Sequence, residues 1–178
     1  MGTCKVYLCS QQMTDGVPKM AANRVYLVRH GEAKPETDDL NRPLADRGSK
    51  EITLVARHVA MIAATVSTIA HSGRLRARQT AEILAEYLHP PEGVKQISGL
   101  APSDEPNSTR LLIEGADQPV MLVGHLPHLS RLLSLLVTGN SEMEVAQFHT
   151  GSIVSLVNID DKWLIEWLLA PETLRFSS

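Results

Sequence analysis

Two kinds of hydrophobic pattern alternate along the chain from Arg24 onward: short unbroken apolar runs, and apolar positions spaced three and four apart. Arg24-Val25-Tyr26-Leu27-Val28 is the first unbroken run, rich in β-branched residues, and reads as a buried strand. Residues 31–46, with Pro35, Pro43 and several acids, read as a loop. Ile52, Val55, Ala56, Val59 and Ile62 then recur at helical spacing, with Gly48 and Ser49 near the helix start. A second strand is expected over 66–70. Ala77, Ala81, Leu84 and Leu88 mark a second amphipathic helix that Pro90 and Pro91 terminate. A short strand is expected over 94–97 and a short helix over 107–114, capped by Asn107 or Ser108 and closed by Gly115. Residues 120–123 form a third strong strand. The helix that starts near Pro127 presents Leu129, Leu132, Leu133, Leu136 and Val137. Residues 153–157 and 163–169 read as two strands joined by a turn at 158–162. Such alternation predicts a three-layer α/β/α sandwich with a mostly parallel central sheet, and the closing pair predicts an antiparallel edge strand.

Residues 1–23 lack this alternation. Turn and loop formers dominate there, with Met13 and Met20 as alternative starts, so the segment reads as a flexible extension with a short extended piece near 6–8. Residues 24–178 are expected to form a single domain, in keeping with a chain of 178 residues. Aromatic residues are only 4%, so the core must be aliphatic and base-stacking platforms are not expected. A net charge of −3 exerts no global pull on nucleic acid or anionic membrane, so any anion must be held by a local cluster of cations. No stretch is long and apolar enough to cross a bilayer, and no secretory leader is evident, so a cytoplasmic location is expected. Cys4 and Cys9 read as two unpaired thiols in the extension.

The candidate chemistry sits where the strands stop. The first strand ends in Arg29-His30-Gly31, the second in His71-Ser72-Gly73, and the third in Gly124-His125. In an open parallel sheet these ends share one side, where ligands bind. A cation, an imidazole titrating near neutrality and a glycine that lets backbone come close suit a phosphoryl group. Arg74, Arg76 and Arg78 follow the second strand on a helix, where most are expected to be solvated. Ser72 fits either a helix cap or a phosphate contact. His128 and His149 are expected to be structural or supporting, and His58 and His89 are given no role. No metal-ligand cluster is evident, and no cofactor is expected.

Several of these segments together resemble the histidine phosphatase superfamily, also called phosphoglycerate mutase-like. They are residues 25–32 (Val-Tyr-Leu-Val-Arg-His-Gly-Glu), Ser72-Gly73-Arg74-Leu75-Arg76-Ala77-Arg78-Gln79-Thr80-Ala81, Val123-Gly124-His125 and Thr150-Gly151-Ser152. The resemblance covers residues 24–169. Within the superfamily, the short chain, the segment Arg42-Pro43-Leu44-Ala45-Asp46-Arg47-Gly48 and Leu100-Ala101-Pro102 are similar to the SixA-type phosphohistidine phosphatases.

The resemblance implies a fold and a mechanism. His30 is the implied nucleophile, forming a phosphohistidine that water hydrolyses. Arg29 and Arg76 clamp the phosphoryl oxygens, His125 adds a donor, and Ser72 is a further phosphate contact. The reaction implied is metal-independent. Larger superfamily members carry a glutamate that protonates the leaving oxygen, and this sequence shows no clear equivalent. Asp104 or Glu105 is the candidate acid. A weak acid suits an imidazole leaving group, whose conjugate acid has a pKa near ~6.5. The expected substrate is therefore a phosphohistidine on a protein, with a histidine-containing phosphotransfer protein as a candidate partner and neither nucleic acid nor membrane involved. Two alternatives stand beside it. One is a small-molecule phosphomonoesterase of sugar-phosphate type, using Asp104, Glu105 or Glu32 as acid. The other is a non-catalytic phosphate-binding protein on the same fold.

Overall fold

The computed structural model describes residues 24–62 and 64–174, so the short extended piece expected near residues 6–8 lies outside the described residues. Six strands form one sheet: β1 (Arg24–Arg29), β2 (Thr68–His71), β3 (Val94–Gln96), β4 (Val120–Gly124), β5 (Ile153–Ile159) and β6 (Lys162–Leu169). Their spatial order is β3-β2-β4-β1-β5-β6. The first four in that order run parallel, β5 runs against β1, and the edge strand β6 pairs antiparallel with β5.

Strand periodicity decides the layers. Alternate side chains of a strand face opposite ways. Val25 and Leu27 of β1, with Leu122 of β4, face one core that includes Leu129, Leu132, Leu133 and Ile113. Tyr26 and Val28, with Met121 and Val123, face the other, built on Ile52, Val55, Val59, Ala77, Ala81 and Leu84. Helices α1 (Asp46–Met61) and α2 (Leu75–Leu88) therefore cover one face. Helices α3 (Pro106–Glu114) and α4 (His128–Thr138) cover the other. Both faces of β1 and β4 are buried, which is why those strands read as unbroken apolar runs.

Element boundaries differ from the sequence pattern in several places. The second strand is Thr68–His71 instead of 66–70: Val66 is buried, but pairing with β4 begins at Thr68. Ile62 caps the end of α1 and is half exposed, outside the apolar stripe that its spacing suggested. Helix α3 starts one residue before Asn107, with Glu105 at the cap position and Pro106 in the first turn, where its missing N–H costs nothing. The β5–β6 turn shrinks to Asp160-Asp161, both with positive φ (51° and 60°). That conformation matches the twist of a two-residue hairpin, so Ile159 pairs with Lys162 and Asn158 with Trp163 within the ladder.

No helix among the described residues is long and apolar enough to cross a membrane.

Candidate active site

The register of the sheet aligns the strand ends that carry polar residues. Arg29 of β1 sits opposite Gly124 of β4, and His71 of β2 sits opposite Val123. His30 continues the pairing past the strand, its N–H donating to the Gly124 carbonyl at 3.3 Å. On the other flank the Arg29 N–H donates to Ser152 O (3.0 Å), and Gly151 N–H lies 3.1 and 3.2 Å from the carbonyls of Arg29 and His30. Gly151 has φ +77°, a conformation that other residues rarely take. The Arg29 side chain folds toward the same loop, Nη1 donating to Phe148 O at 2.7 Å. The backbone beneath His30 is thus held from both sides.

The His30 ring is oriented by two hydrogen bonds. Nδ1 lies 2.7 Å from its neighbour's carbonyl, Gly31 O, which can only accept, so the ring proton sits on Nδ1. Nε2 therefore carries the lone pair, and it accepts from Nε of Arg76 at 3.1 Å. Burial holds His30 neutral, with a pKa lowered to about 4. The Gly31 bond opposes this shift, and the charges of Arg76, Arg29 and Arg42 reinforce it. The result is a neutral imidazole whose lone pair faces a guanidinium.

His125 lies beside it, ring centroids 4.8 Å apart and tilted by 54°. It is almost fully buried, and its pKa falls to about 3, through burial first and then neighbouring His30, Arg76 and Arg74. Its Nε2 meets Ser72 Oγ at 2.6 Å, while its buried Nδ1 has no partner among the described residues. The capping role considered for Ser72 does not hold: Arg74 occupies the cap position of α2, without a side-chain cap bond, and the serine is turned to His125. Of the three helix arginines, Arg76 is buried against His30 while Arg74 and Arg78 are exposed.

The chain is similar to known proteins. Residues 25–101 match the histidine phosphatase superfamily (branch 1). An uncharacterized protein of a Picosynechococcus strain is 35% identical over 125 residues, spanning 66% of this chain and 74% of that one. The chain belongs to the histidine phosphatase superfamily. Phosphohistidine phosphatase SixA of Escherichia coli (strain K12) is 24% identical over 161 residues, 86% of this chain and 98% of its own. The structure of protein histidine phosphatase SixA complexed with tungstate superposes with a TM-score of 0.73 at 26% identity, covering 85% of this chain and 99% of that one. Membership and the SixA relatives together support phosphatase activity.

Within this histidine phosphatase, three further features support the centre. Thr80 is fully buried; its hydroxyl accepts from Gly31 N–H (3.1 Å) and donates to Arg76 O (2.7 Å), tying the turn that bears Arg76 to the end of β1. Gln79 Oε1 accepts from Leu44 N–H at 2.7 Å and pins the loop before α1 to α2. Both residues lie in the recognised segment, but neither type advertises a site alone. The third is Phe148 O, a backbone carbonyl that no sequence pattern could announce.

Gly31 also differs from expectation. A Cβ there would meet Ile52 Cγ1 at 2.8 Å and Gly48 O at 3.2 Å, so the close approach that it permits is to α1, not to a ligand. Gly48 completes that contact, since a Cβ on it would lie 2.2 Å from Glu32 O.

The carboxylates considered as acids are engaged elsewhere. Asp104 Oδ2 accepts from Ala101 N–H at 2.8 Å, and its backbone carbonyl accepts from His128 Nδ1 at 2.9 Å. Glu105 is exposed, 3.8 Å from Arg131, and Glu32 lies 3.5 Å from Arg47. None of these contacts reaches His30, Arg76 or His125. His128 is fully buried as a structural link between α4 and the Asp104 turn, and His149 is exposed near Glu172. A cavity of about 640 Å³ at the opposite end of the sheet, against Val66 and Pro119, contains none of the converging groups. Of the converging groups, Arg76 lines a separate cavity of about 510 Å³ together with Arg42 and Arg74.

Proposed function

We propose that this phosphatase hydrolyses phosphohistidine on a protein through a phosphorylated His30. Nε2 of His30 attacks phosphorus, the P–N bond of the substrate breaks, and the departing imidazole takes its proton from water. Water then attacks the phospho-His30 intermediate, releasing inorganic phosphate and restoring the neutral ring. In the resting centre Arg76 occupies the lone pair of His30. It moves to the phosphoryl oxygens as substrate enters, joining Arg29, while His125 and Ser72 donate to the same oxygens. Phosphoryl transfer depends mostly on positioning and charge stabilisation, and two guanidinium forks supply both without a metal.

One observation carries the choice of substrate. The nucleophile is a neutral imidazole among cations, and its hydrogen bonds involve no carboxylate. With pKa values of about 4 and 3, neither His30 nor His125 is a proton donor near neutrality. An alkoxide leaves poorly from such a centre, whereas an imidazole leaves readily. The cytoplasmic location and a phosphotransfer protein as partner belong to the same reading.

A panel of phosphohistidine protein, sugar phosphates and phosphoserine peptide, assayed with chelator present, tests it. The expected result is preferred turnover of phosphohistidine, changed less than about threefold by Asp104→Asn or Glu105→Gln. A preference for a sugar phosphate that either substitution abolishes would establish the phosphomonoesterase instead. Equal rates for wild type and His30→Ala would establish the binding protein.

A further inference from the structure

The cavity beside the nucleophile holds more positive charge than one phosphoryl group requires. Four arginines line it, Arg42, Arg74, Arg76 and Arg78, against a single acidic residue, Glu36. Arg78 is neutralised by Glu82, 2.7 Å away on the same helix. Arg76 is assigned to the scissile phosphoryl with Arg29. Arg42 and Arg74 remain, and among the described residues neither has a carboxylate within ion-pair distance.

These two are placed by different parts of the fold. Arg74 stands at the cap position of α2, where the free N–H groups of the first turn add partial positive charge. Arg42 comes from the loop before α1, with left-handed backbone (φ 49°), its N–H bonded to Asp39 O and its Nε to Lys34 O. The loop is closed behind it by the Ala33–Leu44 bridge and the bond from Lys34 N–H to Pro43 O. Arg42 Nε is thus tethered to the loop while the side chain lines the cavity. The charges of Arg74 and Arg42 reach Arg76, where they add to burial in lowering its pKa. Gathering like charges in this way is unfavourable until an anion arrives.

We propose that Arg42 and Arg74 form a second anion subsite, which takes an additional anionic group, carboxylate or phosphate, carried by the same substrate as the scissile phosphoryl. Resting on the phosphohistidine reading, the group is the carboxylate of an acidic side chain near the phosphohistidine of the partner protein. The cavity, about 510 Å³, adjoins His30 through Arg76, which lines it and bonds the His30 ring at 3.1 Å. The subsite makes Arg42 and Arg74 specificity determinants: they select which phosphoryl compound reaches His30.

The test compares paired substrates within each enzyme, so that any common change in rate cancels. One pair is an activated aryl phosphate with and without a ring carboxylate. The second is a phosphohistidine peptide with Glu or Gln beside the modified residue. The third is a sugar monophosphate against its bisphosphate. In wild type kcat/KM should favour the more anionic member by about fivefold or more, and the double variant Arg42→Asn, Arg74→Gln should bring that ratio close to one. Asn suits the left-handed position, so folding is not the variable. The net-charge control Lys50→Gln, Lys95→Gln should leave the ratio intact. A wild-type ratio of one in every pair, or a ratio that the double variant preserves, overturns the subsite. Preference in the aryl pair with no turnover of either phosphohistidine peptide keeps the subsite and removes the phosphohistidine reading. Preference confined to the sugar pair keeps the subsite with a phosphate, instead of a carboxylate, as its ligand.

Discussion

Nε of Arg76 donates to Nε2 of His30 across 3.1 Å, so the guanidinium rests on the lone pair that attacks phosphorus in the proposed mechanism. The bond holds the imidazole aimed before substrate arrives, and it must break when the phosphoryl group enters. Arg76→Ala should therefore lower kcat by about a hundredfold or more. Arg76→Lys should recover little, because a point charge cannot reproduce the planar fork. Single-turnover phosphorylation of His30, read as an acid-labile, base-stable phosphoenzyme, measures the step directly.

The neutral state of His30 predicts a displaced pH profile. With its pKa at about 4, the acid limb of kcat/KM should fall near pH 4 instead of near the ~6.5 of a free imidazole. The rate decreases as pH falls through that value, because protonation removes the lone pair.

The same shifts link to stability. His30 and His125 titrate at about 4 and 3 in the folded protein, below the unfolded value of ~6.5. Between these limits the unfolded chain binds more protons, so stability rises with pH. Their contribution is fully present above pH ~6.5 and lost as pH falls toward 4 and 3. Thermal melts across pH 3–8 should show this slope, and His125→Gln should flatten its lower part.

Thr80→Val keeps the shape of the side chain and removes the hydroxyl that joins Gly31 N–H to Arg76 O. A buried N–H left without its acceptor costs about 1–3 kcal/mol. A lower Tm with about tenfold lower kcat, at little change in KM, would show that the link positions Arg76 relative to His30.

Gly48→Ala should be among the most damaging single changes. Its Cβ would fall 2.2 Å from Glu32 O, a backbone atom that cannot step aside alone. A loss of about 3 kcal/mol or more is expected, read in denaturant unfolding, with the His30 end of β1 displaced. The same change at Gly93, where a Cβ would meet nothing within 4 Å, tests a glycine whose only constraint is its φ of +71°.

Much of the fold was legible because strand and helix periodicities are local. The unbroken run at β1 and the spaced leucines of α4 declared both type and burial. Boundaries were less legible where pairing, and not composition, ends an element. Val66 is apolar and buried yet precedes β2, since the ladder to β4 begins at Thr68. Gly31 shows the same limit: its motif suggests room for a ligand, and only the neighbouring helix shows what the space is for.

The alternation of strands and helices, the placing of Arg29-His30 at a strand end, and the family are legible in the chain alone. Each of these is written in neighbouring residues, which carry periodicity and motif. The fold in three dimensions supplies what the motif leaves open: that Arg76 rests on the His30 ring, that Ser72 pairs with His125, and which nitrogen of His30 bears the lone pair. Arg76 and His30 are 46 positions apart, and Ser72 and His125 are 53 apart. Contacts of that range depend on strand register and helix orientation, which no local pattern specifies. The two arginines left over at the cavity mouth belong to the same class: their surplus of charge exists only once the 36–42 loop and the start of α2 face each other.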